Sequence, residues 1–122
     1  MAGIEVKSKD APDETRPFGG KGEGRVVNVG DRIVLYGTFE PGWRWSDNIK
    51  PVAGTDSCEA THVMYCISGR MGVAHNDGTQ AEVGPGDIAV IEPGHDAWVI
   101  GDEQFVSVDF GGYAAYAKPQ AS

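Results

Sequence analysis

Basic residues are scarce in this chain. Ten Lys and Arg stand against eighteen Asp and Glu, a formal net charge of −8 at pH 7 with histidine counted neutral. No basic stripe survives that balance, which argues against nucleic acid and against an anionic membrane surface as partners. Long apolar runs are missing as well. None approaches the roughly 18 residues of a membrane span. The opening MAGIEVKSKD lacks the apolar stretch of a secretory leader. A cytoplasmic location is therefore expected. Cysteine occurs only at Cys58 and Cys66, and without an export signal these are expected as thiols rather than a disulfide. Helix-period apolar patterns are almost absent. There is no phosphate-binding loop, dinucleotide fingerprint or nucleophile elbow.

What is present is turn chemistry. Eighteen glycines and seven prolines are spread over 122 residues, a length that suits one domain with one core. Residues 1–25 hold few core formers and read as an N-terminal arm, with Ile4 and Val6 alternating as in an edge strand. From residue 26 to 122 the pattern is strand after strand. RVVNVG and RIVLYGTFE meet at a tight turn, and ATHVMYCIS is a strong strand ended by Ser68-Gly69. MGVAH and TQAEV face each other across Asn76-Asp77-Gly78, a hairpin signal. DIAVIE, AWVIG and QFVSVDF follow, and the tail GGYAAYAKPQAS reads as a strand or extended arm. Eight or more short strands at this spacing predict an all-β sandwich or closed barrel.

Two blocks carry a family resemblance. The stretch GTDSCEATHVMYCISGRM, then a hairpin, then PGDIAVIEPGHDAW resembles the two motifs of the cupin superfamily, over roughly residues 35 to 110. It is similar to a group of small single-domain bacterial cupins. The resemblance implies a double-stranded β-helix, a jelly-roll-like barrel, with any site inside its mouth, and a homodimer. Metal-binding cupins usually carry His-x-His and then Glu in the first motif and a further His in the second. Here those positions hold Asp56, Cys58, His62 and Ala97, and the histidine of the second motif is His95.

Strand alternation puts Asp56 with Cys58 on one face, and His62 with Met64 and Cys66 on another. The family geometry makes both faces interior. Cys58, His62 and His95 then form a thiolate–imidazole set that suits zinc, and also iron or copper, with a fourth position open. Asp56 or Asp96 would complete the shell or orient a histidine. Cys66, inside an apolar run, reads as core, and His75 as a solvated loop residue. Phe39, Trp43 and Trp45 share one parity and, with Trp98, Met64 and Asp56, would line a pocket for a small organic ligand or substrate. The same aromatics could be plain core. Three functions stay open: a metal-dependent enzyme of oxygenase, isomerase or lyase type; a metal-free small-molecule binder without catalysis; and a metal-free isomerase or lyase using His62 or His95 as acid or base.

Overall fold

Turn residues cut the chain into short strands, and the computed structural model, which describes residues 3–111, shows where each falls. β1 (Glu14–Pro17), β2 (Gly22–Val29) and β3 (Arg32–Phe39) form an antiparallel meander. Two short helical turns follow, α1 (Trp45–Asn48) and α2 (Lys50–Ala53). Then come β4 (His62–Ser68), β5 (Arg70–His75), β6 (Gln80–Val83), β7 (Ile88–Ile91), β8 (His95–Ile100) and β9 (Phe105–Asp109). One sheet has the order β1-β2-β3-β9-β4-β7 and the other β6-β5-β8. The expected all-β double-stranded β-helix is the observed architecture. Gly69 makes the abrupt β4–β5 passage possible. Its φ of +79° favours glycine, and a Cβ there would collide with the Gln104 carbonyl oxygen.

The N-terminal segment departs from the arm expected over residues 1–25. β1 lies within it and the 25/26 boundary falls inside β2, so the sheet begins at Glu14. The reason is Phe18. Its fully buried ring stacks on Phe39 with centroids 4.6 Å apart and tilts against Trp43, so the segment contributes to the core. Ile4 and Val6 form no strand and are exposed. The tail expected to extend over 111–122 lies, apart from Gly111, outside the described residues.

Trp43 and Trp45 share one parity in the sequence, but Trp45 opens a helical turn. Asp96 holds that turn. Its carboxylate accepts from the Ser46 backbone N–H at 3.1 Å and the Ser46 hydroxyl at 2.9 Å, at the positive end of the turn. Both tryptophans are buried nonetheless. Cys58 and Cys66 are free thiols, and burial pushes the Cys66 thiol up. Tyr65 and Ile67 point outward from β4, beside Ile88 on β7, and are exposed. Among the described residues no helix is long and apolar enough to cross a membrane.

Candidate metal centre

β4 alternates strictly, with His62, Met64 and Cys66 buried and the residues between them exposed. His62, its first residue, therefore enters the barrel. Cys58 stands outside any strand but is fixed by the backbone. Its N–H donates to the His95 carbonyl at 2.8 Å, and its own carbonyl accepts from the Gly94 N–H at 2.7 Å. His95 opens β8 on the inward phase. The loop carrying Cys58 is held further by Asn76, whose amide Nδ2 donates to the Ser57 hydroxyl at 3.0 Å.

These placements bring three donors together. One ligand atom each from Cys58, His62 and His95 lies within 4.8 Å of the other two. The residues are 2 %, 6 % and 2 % exposed. His62 Nδ1 donates to Asp109 Oδ2 at 2.7 Å, and His95 Nδ1 donates to the Glu92 carbonyl at 2.8 Å. With both Nδ1 atoms engaged, both Nε2 atoms are left for the centre, and His62 Nε2 sits 3.6 Å from Cys58 Sγ. That is the arrangement that fixes tautomer and ring angle in metal-bound histidines. A tetrahedral ion with bonds of 2.0–2.3 Å places its donors about 3.3–3.8 Å apart. The His62 Nε2–Cys58 Sγ separation falls in that range, while the 4.8 Å limit for the whole set lies above it, so the three donors fit a divalent metal once they close in on it.

The electrostatics agree. Burial alone would raise the Cys58 thiol, but hydrogen bonds from His62 and His95 outweigh it and bring Cys58 down to about 6. Burial opposes a charged His62, yet the bond to Asp109 outweighs it and His62 is raised to about 9. Without metal, the two shifts favour a thiolate on Cys58 beside a protonated His62.

A cavity of about 20 Å³ adjoins the cluster, lined by Phe39, Trp43, Trp45 and Met64 together with His62 and His95. That is room for about one water and not for an organic ligand. Two residues assigned to the pocket from sequence lie elsewhere. Asp56 is fully exposed and faces Lys50 at 3.7 Å, because residues 54–61 form no regular strand. Trp98 falls on the outward phase of β8. It covers Gly72 on one side and carries the Arg44 guanidinium 4.8 Å above its ring. Asp96, bound to Ser46 and Arg44, does not join the shell. His75 is half-buried and clamps the β7–β8 turn through a bond from Nε2 to the Pro93 carbonyl at 2.8 Å.

No protein-family model and no curated protein matches the chain. Solved structures do. An uncharacterized conserved protein with a double-stranded β-helix domain from Klebsiella pneumoniae is 25% identical, covers 95% of this chain and 92% of its own, and has a TM-score of 0.56. An RmlC-like cupin from Shewanella frigidimarina is 14% identical over 90% of this chain and 96% of its own, with a TM-score of 0.58. This protein has the cupin fold. KdgF from Halomonas sp. superposes equally broadly, at 15% identity, 93% and 97% coverage and a TM-score of 0.61.

Sequence reasoning missed Asp109. The signal was there: in FVSVD the residues Phe105, Ser107 and Asp109 share the inward phase of β9, and all three are buried. An acid on the buried side of an apolar strand calls for a partner, and His62 is that partner. Asp109 Oδ1 also accepts from the Val63 and Gly111 N–H groups at 3.2 and 3.0 Å, so the carboxylate is held from two sides.

Proposed function

We propose that this cupin holds one divalent metal ion, zinc by its donor set, on Cys58 Sγ and the Nε2 atoms of His62 and His95. One observation carries the reading: three buried donors converge within 4.8 Å, and the second nitrogen of each imidazole is already engaged. A thiolate with two imidazoles suits zinc, and iron or copper less closely. Three protein ligands leave a fourth position, and the adjoining cavity is sized for a water-sized ligand. Trp43 lines that cavity, and its buried indole N–H has no acceptor among the described residues, which an acceptor atom in the cavity would supply. Such an ion supplies Lewis-acid polarisation of a small oxygen ligand. The chain's own residues do the rest. Asp109 keeps His62 in the Nδ1–H tautomer, Glu92 does the same for His95, and the aromatic wall excludes bulk water.

The metal-free acid–base reading finds one observation in its favour, the Asp109–His62–Cys58 chain itself. The narrow cavity and the buried Cys58 give a substrate no approach to it, so the metal reading is preferred. Elemental analysis of protein purified without a metal-affinity column separates the two. The expected result is one zinc per chain, lost in Cys58→Ala with the circular dichroism spectrum retained. Native protein that takes up no zinc, iron or copper even after soaking would overturn it.

A further inference from the structure

A much larger space adjoins the small one. It follows the seam where the two sheets stop pairing, between β6, the edge of one sheet, and β7, the edge of the other. Its volume is about 620 Å³, within the roughly 300–1,000 Å³ of small-molecule sites. Val73, Val83 and Ile91, all buried, give it an apolar floor. Ile91 is common to the walls of both spaces and pairs with His62 across β4 and β7. One side chain thus stands between an organic-sized cleft and the centre.

The rim is mostly acidic. Asp77, Glu82, Asp87 and Glu92 line the cleft, and among the described residues no Lys or Arg does; His75 also lines it, its Nδ1 3.2 Å from Asp77. Asp77 and Asp87 are fixed by accepting from the Thr79 and Gly84 N–H groups, both at 2.8 Å. Glu82 shares Arg70, which stands outside the lining, at 3.4 Å. Carboxylates around a low-dielectric floor concentrate cations and repel anions.

We infer that the β6–β7 cleft binds a small organic cation, an amine or ammonium compound whose apolar body rests on Val73, Val83 and Ile91 and whose charge meets the acidic rim. The inference goes beyond the metal-centre reading: the cleft is a separate space, divided from the centre by Ile91, and binding there does not depend on the metal.

The test uses two probes with one apolar body and opposite charge, phenethylammonium and 3-phenylpropionate. Each is titrated at low salt into the ¹⁵N-labelled full chain, zinc-loaded and metal-stripped. Saturable shifts are expected at the Val83, Ile88 and Ile91 amides, with the cation bound at least tenfold more tightly. The double variant Glu82→Gln/Glu92→Gln, at two exposed positions, is expected to lose roughly fivefold of the cation's affinity and little of the anion's. Equal binding of the two probes, shifts confined to other strands, or no shifts in either form would overturn the inference. Cation binding in a protein that takes no metal would sink the metal reading alone. Stoichiometric metal without cation binding would sink this one alone.

Discussion

Asp109→Asn is expected to lower zinc affinity by roughly tenfold to a hundredfold while the barrel stays folded. The native carboxylate accepts a hydrogen bond from His62 Nδ1–H at 2.7 Å, which leaves Nε2 as the free lone pair facing Cys58. An asparagine amide in that place would present N–H to the ring. His62 would then accept at Nδ1 and carry its proton on Nε2, the tautomer that cannot bind metal. The substitution also removes the negative charge that favours a nearby cation. Asparagine keeps an oxygen for the Val63 and Gly111 N–H groups that Asp109 Oδ1 serves, so the loss is directed at the centre and not at the fold. Competition with a chromophoric chelator gives the affinity directly. Unchanged zinc affinity would mean that His62 is not a ligand or that Asp109 does not set its tautomer.

In the metal-free protein Cys58 is expected to ionise near pH 6 instead of near its ordinary value of 9.0. The thiolate absorbance at 240 nm reads this, and Cys58→Ser removes the transition. Cys66, pushed up by burial, contributes only in alkali. The linkage has two flanks. His62 is raised from 6.5 to about 9, so its stabilisation is complete below its unfolded value and is lost as pH rises through about 9. Cys58 is lowered, so its stabilisation is complete above its unfolded value and is lost as pH falls through about 6. Each charge depends on the other, so the metal-free fold is most stable between those limits, and urea midpoints measured across pH should peak there. A single ionisation near 9 with no peak would show that the buried pair is neutral.

The strands were legible because two-residue alternation and turn glycines are local signals. The hairpin across Asn76-Asp77-Gly78 and the turn at Gly69 need only the residues themselves. Cys58, His62 and His95 were named together because residue type and motif position pointed the same way, although none occupies the usual ligand pattern. Asp56 was misplaced because strand alternation was applied to Asp56 and Cys58, where the chain is a loop held at Ser57 and Cys58. Trp98 was grouped with the interior through its nearness to His95 in sequence. The inward phase of His95, Ala97 and Val99 on β8 sets it outside. Phe18 and Asp109 escaped notice for a common reason. Each acts through a partner distant in sequence, Phe39 in one case and His62 in the other, and no local pattern announces such a contact.

The most direct test of the centre is X-ray absorption at the zinc edge of the loaded protein. The expected first shell is one sulfur at about 2.3 Å, two imidazole nitrogens at about 2.0–2.1 Å and one further light atom. A shell without sulfur, or with a single imidazole, would contradict a site built on Cys58, His62 and His95.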